Sequence, residues 1–378
     1  MKIVIVSTAY PLRGGIAQYA GILYKRLKAR GHQVHVITFK RQYPKLLFPG
    51  QTQMENSKDV SVRIESEPIL DSIAPLSWVR AFKRIRDLQP DLVLLKFWLP
   101  FFGPCFGTIC WLVGKYTRAK ILYICDNIIP HERRPGDIAL TKFALRKADS
   151  FIVQSGVVEQ QLLSLFPAAK YKLVPHPVYD IFGEVLDKGE ARRQLNIAED
   201  RVILFFGYVR AYKGLDLLLK AMPAILEKVN LKLLVVGEFY ENEEEFRQLC
   251  DNLGVSGSVQ FHAEFIPTED VSRYFSSAEV VVLPYKSATQ SGIVQMAYHL
   301  NKPCIVTDVG GLSEVVINDK TGFVVAPENP QAIATAVIRF YSENLEQVFV
   351  ENVKHEKRKY SWKNMLDAIE ELTSTPAQ

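Results

Sequence analysis

The chain has 378 residues, 48% of them apolar and 23% charged, and no low-complexity tract. These values exclude a disordered or fibrous protein, and the length exceeds one ordinary core, so two domains of roughly 150 to 200 residues are expected. The net charge of +5 conceals a division: residues 1–176 carry 26 Lys and Arg against 12 Asp and Glu, or +14, whereas residues 177–378 carry 20 against 29, or −9.

Such asymmetry fits two domains that meet different partners, the plainer alternative being two solvated surfaces of different charge. The five cysteines are an odd number without a CxxC pair, which favours a reduced cytoplasmic interior. The opening "MKIVIVST" has too short an apolar run for a signal peptide and reads as a first strand.

In chain order, that strand leads into "GGIAQYAGILYKRLKARGH", where Ile16, Tyr19, Leu23 and Leu27 share one helical face and Gly31 marks a stop. "QVHVITF", "DLVLLKF", "KILYIC" and "SFIVQS" follow as strands. Between the second and third of these four lies an apolar run from Phe97 to Gly114. Pro100, Gly103, Pro104 and Gly107 argue against a membrane-spanning helix there. Two readings stand: a buried strand-to-helix connection, or an apolar lip that meets a bilayer or a lipid acceptor.

The second half repeats the grammar with "RVILFFG", a helix from Gly214, "LKLLVVG", a helix from Glu243, "VQFHA", "EVVVLPY" and "CIVTDVG". Short apolar strands alternating with amphipathic helices predict parallel sheets covered on both faces. The expected fold is therefore α/β, with two Rossmann-like doubly wound domains facing across a cleft. Their bounds are 1–176 and 177–357, with 358–378 a last helix crossing back. His176, between two prolines at the junction, reads as a hinge residue.

Ligands of such sheets bind beyond the strand carboxyl ends, where helix N-termini present free N–H groups. Three stretches qualify: Gly14 and Gly15 opening the first helix; Gly207, Arg210, Lys213 and Gly214 in "FFGYVRAYKGLD"; and "LPYKSATQSGIVQMAY", Leu283 to Tyr298. No GxGxxG or Walker loop is present. Each stretch is weak alone, but together they predict a strong anion site. Arg210 and Lys213, three apart after a strand end, can reach one diphosphate, the arginine gripping two oxygens and the lysine acting as a point charge.

In this order the segments resemble the retaining glycosyltransferases of GT-B fold, the fourth sequence family, also termed group 1. The likeness rests on Gly14-Gly15 after the first strand, "FFGYVRAYKGLDLLLKA", the "VVGE" and "LPY" strand ends, "KPCIVTDVGGLSE" and the terminal "YSWKNMLDAI". It implies sugar transfer with retention from a UDP- or GDP-sugar, with no separate cofactor and no metal. The acceptor would be a saccharide or polyprenyl-linked carrier in cell-surface glycan synthesis, with no nucleic-acid partner; the +14 charge and the apolar run of residues 1–176 add an expected peripheral contact with an anionic membrane. A catalytically silent scaffold and a sugar-nucleotide epimerase of the same fold are the alternatives.

The resemblance also supplies roles. His131 is expected against the reacting groups, with Arg210 and Lys213 stabilising the leaving diphosphate; Glu132, Arg133 and Arg134 read as acceptor contacts or a charged loop. Glu238 and Glu314 are expected near the nucleotide. The family's Glu-x7-Glu pair is missing: its first position falls at Ser287 or Ala288, its second at Gln295 or Met296. In its place, Ser291 and Gly292 open a helix as a phosphate cradle, and sugar reading moves to Thr289 and Gln290. Ile293, Met296, Ala297 and Leu300 are expected to form the core face. Gln295 would then point away from it and offer a neutral acceptor oxygen to ribose.

Overall fold

A computed structural model describes residues 1–44, 48, 50, 52–59, 63–130 and 134–374. The chain divides into two compact units, Met1–Pro177 with Ser361–Gln378, and Val178–Tyr360. His131, Glu132 and Arg133 lie outside the described residues.

The N-terminal unit has a seven-stranded parallel sheet: β1 (Lys2–Val6), β2 (Gln33–Arg41), β3 (Glu67–Asp71), β4 (Leu92–Phe97), β5 (Lys120–Cys125), β6 (Ser150–Val153) and β7 (Tyr171–Leu173). Its order is β3-β2-β1-β4-β5-β6-β7. The other unit has six parallel strands: β8 (Val202–Phe206), β9 (Lys232–Val236), β10 (Val259–His262), β11 (Val280–Leu283), β12 (Cys304–Thr307) and β13 (Gly322–Val325). They run β10-β9-β8-β11-β12-β13. Both expected doubly wound sheets are present. In each the order reverses beside the first strand, between β1 and β4 and between β8 and β11, and ligands of open α/β sheets bind at such a switch point.

The strands absent from the sequence expectation are β3, β7 and β13. Each lies at a sheet edge, and each lacks a long apolar run: β3 contains Glu67, Pro68 and Asp71, β7 has three residues, and β13 opens on Gly322. An edge strand packs on fewer neighbours, so its sequence is less constrained.

Most of the run from Phe97 to Gly114 is core, with Trp111 40% exposed. Phe97, Phe102, Phe106, Ile109 and Cys110 are fully buried, and Trp98 packs on Phe102 with ring centroids 4.6 Å apart. The buried-connection reading therefore holds for most of the run, because the helix Gly103–Tyr116 buries its apolar stripe on the sheet. Gly103 and Gly107 serve that packing. A Cβ on Gly103 would stand 2.6 Å from the Leu140 carbonyl oxygen, and one on Gly107 would stand 2.3 Å from the Phe143 ring.

On the opposite sheet face, Lys96 is 2% exposed and donates to Asp126 Oδ1 at 2.6 Å. Its ammonium also lies 3.6 Å from the centroid of the Tyr19 ring. Tyr19 in turn meets the edge of His176 at 5.1 Å and the Trp362 ring at 5.0 Å. Burial, then the Lys96 charge, lowers the His176 pKa to about 3, so its ring is neutral, and Nδ1 lies 2.7 Å from the Pro177 carbonyl oxygen. His176 is thus a packed ring of the N-terminal unit. The helix Trp362–Ser374 is held there too, with Arg30 paired to Asp367 at 2.7 Å and to Glu370 at 2.9 Å.

Breaking a buried pair leaves an uncompensated charge, whereas replacing both members by apolar groups does not. Asp126→Asn should therefore destabilise the chain by about 3 kcal/mol or more. The double variant Lys96→Met/Asp126→Leu should lose much less. Denaturant titration of both checks this, and equal losses would mean that the pair contributes only packing.

Candidate functional site

Beyond the carboxyl ends of β8 and β11, at the switch point of the second sheet, the turns pack backbone to backbone. Gly207 follows β8 at φ +103°, and its N–H donates to the Val236 carbonyl. A Cβ on Gly237 would stand 2.3 Å from the Gly207 oxygen, and one on Gly214 2.0 Å from the Pro284 oxygen. A Cβ on Gly310 would stand 1.8 Å from the Ala288 oxygen. These glycines are needed because only bare backbone lets four neighbouring turns approach this closely.

Lys213 closes a short 3-10 turn, Ala211–Lys213, that folds its side chain back over Gly207. A Cβ on Gly207 would stand 2.7 Å from the Lys213 Nζ and 3.2 Å from Ile293 Cδ1. Lys213 is 7% exposed, and among the described residues no carboxylate pairs with it. Burial first, then the Arg210 charge, lowers its pKa from 10.5 to about 7. The ammonium lies 5.7 Å from the Tyr285 ring centroid, and the Tyr285 hydroxyl is 3.4 Å from Ser291 Oγ. Ser291 accepts from the Ile293 N–H at 3.2 Å and so caps the helix Gly292–His299. Gly207, Lys213, Tyr285, Ser291 and Ile293 therefore meet in one place: a buried cation beside a helix N-terminus, an arrangement that suits an anion.

Arg210 is exposed and stacks over Tyr240 in the turn after β9, 5.2 Å from its centroid. Glu238, which opens that turn, is 4% exposed. Thr289 is buried, and its carbonyl accepts from the Gly311 N–H at 3.0 Å, while Gln290 is half-buried. Glu314 is exposed on the short helix Leu312–Val315. Gly14, at φ +99°, caps the helix Gly15–Ala29 in the other unit.

Two expectations change. Gln295 was placed away from the core face, but it is 1% exposed, with Val294, Met296, Ala297 and Tyr298 also buried. The helix is enclosed on several sides, so its periodicity could not separate inside from outside. Among the described residues the Gln295 Oε1 has no hydrogen-bond partner. Gly292 was expected to leave room for phosphate; instead a Cβ there would meet the Tyr179 ring at 3.2 Å. Sequence reasoning missed Tyr179, Tyr240 and Tyr285. The "LPY" strand end was the available signal for Tyr285; nothing local marks the other two.

Residues 187–356 match the family model described as glycosyl transferases group 1, and residues 14–177 match the glycosyl transferase 4-like domain. An uncharacterized glycosyltransferase of Methanocaldococcus jannaschii is 28% identical, over 97% of this chain and 96% of its own length. A D-inositol 3-phosphate glycosyltransferase of Corynebacterium urealyticum is 27% identical, over 78% of this chain and 73% of its own. In structure, the chain is similar to HepE of Anabaena in complex with UDP-glucose, with a TM-score of 0.78 at 16% identity over 99% of this chain and 100% of that one.

An anion beside Lys213 raises its pKa again, so binding takes up a proton once the pH exceeds the free value of about 7. Sulfate, which does not itself titrate in this range, should bind best below pH 7. Its affinity should then weaken by up to about tenfold per pH unit as the pH rises to 9. The dependence should vanish in Lys213→Met, and calorimetry across that range reads it directly. A slope that survives the substitution would place the titrating group elsewhere.

Proposed function

This chain belongs to the group 1 glycosyl transferases and has the GT-B fold, and from that premise we propose that it moves a hexosyl group from a UDP- or GDP-sugar with retention of configuration. The acceptor is a saccharide or a polyprenyl-linked carrier of cell-surface glycan synthesis, reached through peripheral contact with an anionic membrane on its cytoplasmic side. Among the described residues no helix is long and apolar enough to cross a membrane.

The observation that carries this reading is the buried Lys213 ammonium, unpaired among the described residues and lying over Gly207 beside the helix that Ser291 caps. Glycosyl transfer expels a nucleoside diphosphate whose charge grows in the transition state. A cation fixed in a site of low dielectric stabilises that charge without reorganising. Lys213 takes this role, Arg210 grips the outer phosphate oxygens from its place on Tyr240, and the first turn of the helix Gly292–His299 adds its dipole. The protein cations would then serve in place of a divalent metal.

The Gln295 Oε1, buried and unpartnered among the described residues, suits one donated hydrogen bond such as that of a ribose hydroxyl. Thr289 and Gln290 would read the sugar, and Glu238 and Glu314 would lie near the nucleotide. Gly14 and Gly15 would serve in donor binding. Neither acid of the family's pair is present: Ser287 or Ala288 stands at the first position, in the turn after β11, and Gln295 or Met296 at the second, on the helix Gly292–His299. A front-face reaction, in which the leaving phosphate itself takes the acceptor proton, therefore fits better than attack by an enzyme carboxylate.

Arg210→Ala and Lys213→Ala should each lower transfer by about a hundredfold or more, as for removal of a preorganised charge stabiliser, with folding unchanged. Gln295→Ala should raise the donor KM more than it lowers kcat. Steady-state kinetics with the donor base chosen by thermal shift against UDP, GDP and ADP tests both. Near-normal turnover in the two cation variants would remove the site from the reaction.

A further inference from the structure

The N-terminal unit carries a surface that the donor chemistry leaves unused. The helix Pro75–Leu88 buries Trp78, Ala81, Phe82 and Ile85 in the core, and the helix Gly103–Tyr116 buries its own stripe in that same core. The two helices pack on each other, so their outer stripes face away from one sheet face together. Tyr116 joins them, its ring centroid 5.9 Å from that of Phe82.

The joint outer face leaves large apolar side chains exposed among its cations. Leu76 is 74% exposed, Tyr116 55%, Trp111 40% and Val79 38%. Leu76 and Val79 share their helical stripe with Arg80 and Lys83, at spacings of three, four and seven residues. Lys115 lies across both aromatic groups, 5.2 Å from the Trp111 centroid and 5.1 Å from that of Tyr116.

Charge pairing sets this stripe apart from the rest of its helix. Arg84 is paired with Glu67 at 2.8 Å and Arg86 with Asp87 at 3.1 Å. Among the described residues, Arg80, Lys83 and Lys115 have no carboxylate partner. The uncompensated cations are thus the ones interleaved with exposed Leu, Val, Trp and Tyr. Trp and Tyr favour the headgroup level of a bilayer, apolar side chains enter the acyl boundary, and Lys and Arg attract anionic lipid while their stems cover apolar surface. A second copy of the chain set face to face would oppose cation to cation, so self-association disfavours this surface.

We propose that the face formed by Leu76, Val79, Trp111 and Tyr116 with Arg80, Lys83 and Lys115 docks this protein on an anionic lipid surface. This deepens the membrane contact proposed above by assigning it to these two helices, and it does not depend on which sugar nucleotide is bound.

The full chain should cosediment with phosphatidylcholine vesicles that contain phosphatidylglycerol and hardly with pure phosphatidylcholine, the bound fraction falling as salt rises. Arg80→Gln/Lys83→Gln/Lys115→Gln should weaken binding by at least about tenfold and flatten the salt dependence. Leu76→Ser/Trp111→Ser should remove the part of the binding that survives high salt. Melting temperature and UDP or GDP affinity should be unchanged in both variants, because all the substituted side chains are exposed and lie in the N-terminal unit. Equal binding to both lipids, no binding to either, or variants that pellet like the parent would overturn the assignment. So would self-association in sedimentation velocity that the same substitutions abolish, since a second copy would then be the occupant. Loss of nucleotide affinity in Lys213→Ala with vesicle binding retained, or the reverse pattern in the face variants, keeps failure of this proposal distinct from failure of the donor site.

Discussion

The fold holds an ammonium group where it is unfavourable in the free protein, and much of the C-terminal unit is arranged around that fact. Lys213 is 7% exposed, and among the described residues it faces no carboxylate. Burial lowers its pKa to about 7, the mark of a charge that the fold has not compensated. Gly207 must be bare to admit it, and Gly214 must be bare for its turn to reach the Pro284 carbonyl. Tyr285 lies beside it, with its hydroxyl near the Ser291 cap. An anion would relieve the cost by pairing with the ammonium, and part of its binding energy would then be set in advance by folding.

The N-terminal unit solves the same problem in the opposite way. Lys96, on the switch strand β4, is as deeply buried as Lys213, but it donates to Asp126 at 2.6 Å and lies on the Tyr19 ring. The two doubly wound sheets share one order over six strands, β7 being extra in the first, and each unit buries a lysine near the switch point. One lysine has its counter-ion in the chain and contributes to structure; the other lacks one among the described residues and suits a ligand. A buried cation therefore marks a binding site only when its partner is missing, which burial alone does not reveal.

Charge division between the halves acquires structural meaning at the surface. Along the helix Pro75–Leu88 the paired cations, Arg84 and Arg86, follow the two without a carboxylate partner among the described residues, Arg80 and Lys83, which share a stripe with Leu76 and Val79. Most of the apolar run at Phe97–Gly114 is spent on the core of the unit, as the buried-connection reading expects, while Trp111 stays exposed. Exposed apolar surface comes from scattered single residues, Trp111 of that run among them, on two adjacent helices.

How much of this was legible depends on the range of the interactions concerned. Both parallel sheets could be read from apolar runs such as "KIVIV" and "VILFF", because central strands buried on both faces are mostly apolar. Arg210 and Lys213 were legible as cations after a strand end. The sequence could not reveal that Lys213 folds over Gly207 while Arg210 stays outside on Tyr240, since that choice depends on turns contributed by β9 and β11. It also could not place Gln295, whose helix is enclosed on several sides, or Tyr179, whose ring covers Gly292 from more than a hundred residues away. Local pattern determines which segments become strands and helices because those periods repeat within a few residues. Which polar groups end up buried, paired or left for a ligand was decided only by the tertiary structure, because a counter-ion or covering ring can come from any part of the chain.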